Sequence, residues 1–248
     1  MTQVMSPENA YSRGTQTIQT SSGKTRTFEF ESWTANQGER SLTRYTQPAA
    51  IRGQAFLMLN HADDIWTYFP RTKRVRKLAS SAKKQKVQGS DFTYEDMGSG
   101  DVFIKKFTPH LTGMETMDGE PCFHVELKGI PDQDPPYPLL HIWVRVKDFS
   151  PLKIDYYNDA DINHKSLILS DIQVIDGYPT AMTMVMTDHL ERSSTRMTTL
   201  EASYTWTPTE DFFSQRNLKQ CCAPPYSCCH SSSGLNLISL ATLNPKVT

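Results

Sequence analysis

The chain has 248 residues, with 26 Lys and Arg against 27 Asp and Glu, and a formal net charge of −1. Hydrophobic residues make up 38% and aromatic residues 10% of the sequence, a composition that excludes a disordered chain and allows one large domain. The near-neutral balance argues against a dedicated nucleic-acid-binding protein, and the longest apolar run, residues 55–59, is far too short to span a membrane as a helix.

The first ten residues have neither a basic start nor an apolar stretch, so they predict no secretory signal peptide. Strand patterns dominate the rest of the chain, because apolar and polar residues alternate with a period of two rather than 3.6. The clearest alternating segments are residues 25–33, 122–130, 141–148, 152–157, 181–187 and 198–206. Short turn signals separate them, which predicts an antiparallel, mainly β fold: a sandwich, a barrel or a strongly curved open sheet.

Helical signals are few. Thr207-Pro208-Thr209-Glu210 has the pattern of a capping box with proline at the first helical position, which predicts a short helix over residues 208–216. Residues 91–97 are compatible with one or two further helical turns. After Gln220 the sequence becomes Cys-rich and loses any periodicity, so we expect one domain over residues 1–220 and an unstructured tail over residues 221–248.

The sequence carries no HExxH, Gly-x-Ser-x-Gly, phosphate-binding loop or dinucleotide-binding fingerprint. Cys221, Cys222, Cys228 and Cys229 crowd into the tail, but adjacent pairs lack the spacing that lets two thiolates hold one zinc ion. We therefore expect no enzyme, no cofactor and no metal site.

Residues 71–86 hold eight basic residues and no acidic one. One interpretation is a docking patch for anionic lipid headgroups or an acidic partner; the other is a solvated sheet edge that its lysines protect from pairing. The candidate docking residues are Arg71, Lys73, Arg74, Arg76 and Lys77.

Residues 181–187 place Met182, Met184 and Met186 on one face of a predicted strand. Methionine adapts to variable apolar shapes, so this stripe indicates either the lining of a lipid-sized cavity or an ordinary core. The candidate cavity residues are completed by aromatic side chains from other segments: Trp66, Tyr68, Tyr204 and Trp206.

Four segments occur in a characteristic order: residues 51–57 (Ile-Arg-Gly-Gln-Ala-Phe-Leu), 63–70 (Asp-Asp-Ile-Trp-Thr-Tyr-Phe-Pro), 74–81 (Arg-Val-Arg-Lys-Leu-Ala-Ser-Ser) and 89–96 (Gly-Ser-Asp-Phe-Thr-Tyr-Glu-Asp). This order resembles the LolA-like outer-membrane lipoprotein-sorting protein family, in the branch associated with RND-type exporters. The resemblance covers roughly residues 11–218. It implies a curved, incomplete antiparallel half-barrel with a few short helices across its mouth. Family members begin with a signal peptide and an amphipathic helix, and neither is predicted in this chain.

The resemblance also implies a function. The protein would be a non-catalytic periplasmic carrier or chaperone that binds acyl chains of a lipid or lipoprotein in its concave cavity. It would act as a monomer, without nucleic acid, and pass the chains to an inner-membrane exporter or an outer-membrane acceptor. The alternative is a docking module that acts through residues 71–86 as an accessory to an RND-type exporter.

Overall fold

The computed structural model describes residues 7–98 and 105–220. Thirteen β-strands dominate them, as the alternating sequence pattern predicts. The strands are β1 (Asn9–Gln19), β2 (Thr25–Ala35), β3 (Arg40–Gln47), β4 (Ala55–Leu59), β5 (Asp64–Phe69), β6 (Arg74–Lys77), β7 (Phe107–Met117), β8 (Glu120–Gly129), β9 (Leu139–Arg145), β10 (Pro151–Tyr157), β11 (Asn163–Ile175), β12 (Tyr178–Asp188) and β13 (Ser193–Ser203). The short helices are α1 (Tyr94–Gly98) and α2 (Gln215–Leu218), with 3₁₀ turns at Ser80–Lys84, Val87–Gly89 and Pro131–Gln133.

The strands form one antiparallel sheet in the order β6-β5-β4-β3-β2-β1-β13-β12-β11-β10-β9-β8-β7. The first strand pairs with both β2 and β13, which joins the early and late halves of the chain. Laid flat, the sheet would be roughly 58 Å wide at the usual strand spacing. One apolar cluster nevertheless contains side chains from every strand except β6, so the sheet is strongly curved. The predicted mainly β, curved and unclosed half-barrel is confirmed.

The inner, concave face of the sheet holds this first cluster. Side chains at alternate positions point into it, among them Phe28 and Phe30 of β2. Residues 78–98, which follow β6, cross the concave face and pack Val87 and Phe92 into the cluster. These two side chains are 0% and 5% exposed, so the segment closes part of the half-barrel.

The helix α1 belongs to this crossing segment and has a capping pair at its start. The Thr93 backbone N–H donates to Asp96 Oδ2 at 2.8 Å, and the Asp96 backbone N–H donates to Thr93 Oγ1 at 3.1 Å. This reciprocal arrangement satisfies two N–H groups that a helix start leaves unpaired. The helical turns allowed for residues 91–97 therefore form over Tyr94–Gly98.

The outer face of β2–β5 carries a second apolar cluster. Trp33, Leu42 and Leu57 lie there on neighbouring strands, and the chain after β13 packs over them. Phe212 and Leu218 from this C-terminal segment are 5% and 0% exposed. The segment thus shields the outer cluster from water.

The predicted helix over residues 208–216 is wrong. Helix α2 begins only at Gln215, with the Ser214 side chain accepting the Asn217 backbone N–H at 3.2 Å. The Thr-Pro-Thr-Glu segment instead runs in an irregular path that lets Trp206 and Phe212 pack with ring centroids 4.9 Å apart. Tertiary packing of the aromatic side chains overrides the local capping signal.

Each of the six alternating segments falls on an observed strand, but two strands end clearly earlier than predicted. The strand β9 ends at Arg145, because the Asp148 carboxylate accepts from Arg145 Nε at 3.0 Å and from the Ser150 backbone N–H at 3.1 Å, closing a turn. The strand β13 ends at Ser203, next to a contact in which Asp176 accepts the Tyr204 backbone N–H at 2.8 Å.

In the described ranges, no helix is long and apolar enough to cross a membrane. The predicted unstructured tail and its four cysteines lie outside the described residues.

Candidate functional site

A row of half-buried apolar side chains crosses the concave face from β8 to β12. Val125 lies opposite Ile142, Ile142 opposite Ile154, and Leu169 opposite Met184. All five pack against the inner cluster while keeping part of their surface uncovered. Partly uncovered apolar groups on a concave surface are typical of a ligand-binding wall.

One end of this row opens into a cavity of about 270 Å³ between β1, β11, β12 and β13. Its size is near the lower limit of small-molecule sites, and its lining is mainly apolar. The lining residues are Ala10, Tyr11, Ser12, Leu169, Pro179, Thr180, Ala181, Met184, Thr199, Ala202 and Tyr204.

Small side chains create this space. Ala10 and Ser12 lie on β1, and Ala202 lies opposite Ser12 on β13, where the register shifts between Arg13 and Gly14. A side chain at Gly14 would place its Cβ 2.6 Å from the Thr198 carbonyl oxygen, so glycine permits the close approach of the two strands. The bulge and the small residues together leave the cavity unfilled.

The cavity has a polar rim. The hydroxyl groups of Thr180 and Tyr204 form a 2.7 Å hydrogen bond, and the rings of Tyr178 and Tyr204 have centroids 5.0 Å apart. Burial raises the pKa of the Tyr204 hydroxyl, which therefore stays protonated at neutral pH. The rim can offer a hydroxyl to the polar end of a ligand whose apolar part fills the cavity.

The structure separates the seven candidate cavity residues. Met184 and Tyr204 line the cavity, whereas Met186 is 0% exposed in the inner core. Met182 is half-buried on the same strand and does not line it. The other aromatic residues lie in the outer cluster: Trp66, Tyr68 and Trp206.

The structure therefore does not bring Met184 together with Trp66, Tyr68 or Trp206. Trp66 and Tyr68 alternate with the inward-facing Ile65 and Thr67 on β5, so they point to the outer face. Sequence reasoning missed the small residues of β1 and β13, because alanine and serine give no recognisable signal until the strands are paired.

The basic run also divides in the structure. Arg71, Lys73, Arg74 and Arg76 are exposed around the β5–β6 turn. Lys77 forms an ion pair with Asp64 at 2.5 Å and lies 5.1 Å from the centre of the Trp66 ring.

The later lysines of the run, in the crossing segment, are paired with acids. Lys83 lies 3.4 Å from Asp63, and Lys84 lies 3.8 Å from Asp134. Lys86 contacts Glu191 at 2.6 Å. Residues 71–86 thus do not form one continuous docking patch.

The Gly-Ser-Asp-Phe part of the crossing segment anchors that segment on the concave face, at the start of β13. Asp91 is 1% exposed and accepts hydrogen bonds from Ser193 Oγ at 2.5 Å and Thr195 Oγ1 at 2.7 Å. Lys165 Nζ donates to the Asp91 carbonyl oxygen at 3.1 Å, and Lys86 lies 3.5 Å from its carboxylate. Hydrogen bonds to a charged, buried group are stronger than neutral ones, so this network holds the segment in place.

Asp188 extends the same network. Burial acts to raise the pKa of its carboxyl group, but the backbone N–H of Glu191 and the Lys86 ammonium outweigh that effect and hold the pKa below its ordinary value. The carboxylate is therefore ionised at neutral pH and pairs with Lys86 at 3.2 Å.

The outer face of β7–β9 carries a polar group of side chains instead of an apolar cluster. Glu115 Oε1 lies 2.7 Å from His124 Nδ1, and Trp143 Nε1 donates to Glu115 Oε2 at 2.8 Å. His124 Nε2 and His141 Nδ1 are hydrogen-bonded at 2.8 Å. Burial, and next the neighbouring His124, lower the pKa of His141, so its neutral form is favoured.

A serine, a histidine and an aspartate meet on β10, β11 and the turn after β12, but not in the order that activates a nucleophile. Ser166 Oγ donates to Asp155 at 2.6 Å and lies 2.8 Å from His189 Nε2. The hydroxyl stands between the carboxylate and the imidazole, whereas a catalytic triad needs the imidazole in the middle. Among the described residues, no group of three or more His, Cys, Asp or Glu has the geometry to hold a metal ion.

Comparisons with solved structures give matches over most of the chain. A domain from Vibrio parahaemolyticus, assigned as an outer membrane lipoprotein-sorting protein, has a TM-score of 0.75 and 26% identity, covering 86% of this chain and 92% of that chain. A DUF1329 family protein from Desulfovibrio piger has a TM-score of 0.79 and 27% identity, and the match covers 87% of this chain and 93% of that chain. A LolA superfamily protein from Nitrosomonas europaea has a TM-score of 0.70, and the match covers 87% of this chain and 94% of that chain. Because the identity is 20%, this likeness supports the fold alone.

No curated protein matches the chain in sequence. A family model with the description "-like: Uncharacterized protein" matches residues 37–220, about three quarters of the chain. The chain belongs to the family that this model describes, and its structural neighbours are outer membrane lipoprotein-sorting, DUF1329 and LolA superfamily domains.

Proposed function

We propose that the protein is a non-catalytic carrier that binds the acyl chains of a lipid or lipoprotein on its concave face. The observation that carries this proposal is the apolar cavity between β1, β11, β12 and β13, which continues into the half-buried row on β8–β12. The likeness to a lipoprotein-sorting domain over 86% of the chain supports it.

The physical basis of binding is burial of methylene groups, each contributing about 0.8 kcal/mol. A few methylenes against Leu169 and Met184 would therefore give useful affinity. The polar end of the ligand would lie at the Thr180–Tyr204 rim. Residues on the outer face, including Trp66, would have no part in this binding.

The location and the acceptor are further parts of the proposal. A sorting role places the protein in the periplasm, where it hands its cargo to a membrane partner such as an RND-type exporter or an outer-membrane acceptor. Mass spectrometry of lipid extracted from the purified protein identifies the cargo class, and recovery of no acyl compound would contradict carriage.

Two methionines on β12 provide a matched test of the site. Met184→Ser should leave the protein folded and weaken the binding of a fluorescent fatty acid about tenfold, since it removes apolar contact worth about 1.4 kcal/mol. Met186→Ser should instead destabilise the fold by about 2–5 kcal/mol, because Met186 is fully buried. Binding is measured by fluorescence titration and stability by urea unfolding.

Filling the cavity provides a second test. Ala202→Trp places a large side chain in the space that the acyl chain would occupy, so it should abolish fatty-acid binding. Leu200→Trp, at an exposed position on the same strand, is the control. Undiminished binding by both Met184→Ser and a folded Ala202→Trp would exclude this cavity as the acyl site.

A further inference from the structure

Three consecutive turns at one end of the sheet carry only basic charges. Because neighbouring strands are antiparallel, the β1–β2, β3–β4 and β5–β6 turns all lie at the same end. Their exposed charged side chains are Lys24, Arg52, Arg71 and Lys73, with Arg74 at the start of β6. We refer to the three turns, represented by these five basic residues, as the basic turns.

The basic turns form a continuous row. Successive hairpins are two strands apart, roughly 10 Å, so the row extends for roughly 20 Å along the sheet end. The second and third turns are in contact, since a Cβ at Gly53 would lie 3.7 Å from the side chain of Pro70. Sequence reasoning found only the last turn, because Lys24 and Arg52 are far from it in the chain.

The charges of this row are uncompensated. Within the part of the chain that the structure describes, none of the basic turns forms an ion pair, and only Arg52 forms a side-chain hydrogen bond, to the Thr46 carbonyl and Gln47. Phe69, beside the third turn, is 36% exposed and adds an apolar group. Exposed cations that form no ion pair and lie next to an aromatic side chain are suited to binding a layer of mobile anionic groups.

The opposite charge appears further along the same end of the sheet. The β8–β9 and β10–β11 turns contain Asp132, Asp134, Asp159 and Asp161 and no Lys or Arg. The chain as a whole has a net charge of only −1. Attraction to an anionic surface must therefore come from the basic half of this end, which also defines how the molecule would be oriented on it.

We propose that the basic turns are a docking surface for a bilayer rich in anionic phospholipid, and that they hold the protein at the membrane with the β1–β6 half facing it. The phosphate groups of the headgroups would accept from Arg52, Arg71 and Arg74, while Phe69 would enter the interfacial region. The proposal is independent of what the concave face binds.

The experiment is co-sedimentation with vesicles of phosphatidylglycerol and phosphatidylcholine, against vesicles of phosphatidylcholine alone. The protein should bind the anionic vesicles at 50 mM NaCl and dissociate at 500 mM, because salt screens exposed charges. The triple variant Arg52→Glu, Arg71→Glu, Arg74→Glu should bind at least about tenfold more weakly. A milder triple change to Gln should give an intermediate loss, which keeps the test informative if the reversal disturbs folding.

A matched control reverses three exposed cations elsewhere: Lys128→Glu, Lys147→Glu and Arg196→Glu. The control changes the net charge equally and should stay within about twofold of the unmodified protein. The proposal would be overturned if the control variant lost as much vesicle binding as the Arg52, Arg71 and Arg74 variant. It would also be overturned if the unmodified protein bound phosphatidylcholine vesicles as well as anionic ones, or bound neither. Capture by immobilised polyglutamate without vesicle binding would overturn it in favour of an acidic protein partner.

Fatty-acid binding and membrane docking can be lost independently of each other. Fatty-acid binding by the Arg52, Arg71 and Arg74 variant should be unchanged, since none of these residues lines the cavity. Loss of fatty-acid binding with Met184→Ser should likewise leave vesicle docking intact.

Discussion

The two faces of the sheet carry apolar clusters that are covered in different ways. On the outer face of β2–β5, the C-terminal segment packs Phe212 and Leu218 over Trp33, and little of the cluster stays exposed. On the inner face, residues 78–98 cover only part of the cluster and leave Leu169 and Met184 partly open. The two apolar faces therefore differ in how completely they are covered and not in whether they carry aromatic side chains.

The largest expected effect comes from uncovering the outer cluster. Phe212→Ala removes a ring that lies 5.5 Å from the Trp33 ring centroid, and should lower the free energy of unfolding by about 3–5 kcal/mol. Urea unfolding measures the change. Fatty-acid affinity of the folded variant should not change, and a loss of affinity without a loss of stability would place the outer cluster in the ligand site.

A smaller effect should follow from weakening the anchor of residues 78–98. Asp91→Asn removes the charge that Ser193 and Thr195 bind, and should cost about 1.5–3 kcal/mol. Asp159→Asn, at an exposed turn position, is the control and should cost less than about 0.5 kcal/mol. Equal stability of the two variants would mean that the Asp91 network does not hold the segment on the concave face.

The smallest effect should come from the polar outer face of β7–β9, where histidines replace the apolar cluster. The pKa of His141 in the folded protein lies below its ordinary value of 6.5, so unfolding favours proton uptake. Stability from this group is present above pH 6.5 and is lost as the pH falls below it. His141→Gln should reduce the fall in unfolding free energy between pH 7.5 and pH 5.

The exposed His110→Gln provides the control for this pH dependence and should keep the original slope. An unchanged slope in His141→Gln would show that burial at this position does not contribute to the pH response.

Much of the secondary structure was predictable from the sequence. Residues 25–33 and 152–157 alternate regularly and fall within β2 and β10. The irregular path of residues 208–214 was not predictable, since the capping signal is local whereas the packing of Phe212 on Trp33 joins segments almost 180 residues apart. The capping pair of Thr93 and Asp96 was a missed local signal.

The candidate site was predictable only in part. Alternation correctly places Met184 and Met186 on one face. It does not show that Met184 lines a cavity whereas Met186 is fully buried. That difference depends on which segment crosses above each residue. Trp66 and Tyr68 show the same limit, because their face is covered by a segment that starts after residue 203.

The sequence by itself determined the strands, the faces that their side chains share and the likeness to a lipoprotein-sorting family, because a period of two and ordered motifs are local properties. Only the tertiary structure decided which face is concave, where Ala10, Ser12 and Ala202 leave room, and that Lys24 and Arg52 join the β5–β6 turn in one basic row. These features arise from pairing strands that are distant in the chain, and the curvature and coverage of a sheet are properties of the whole assembly of strands.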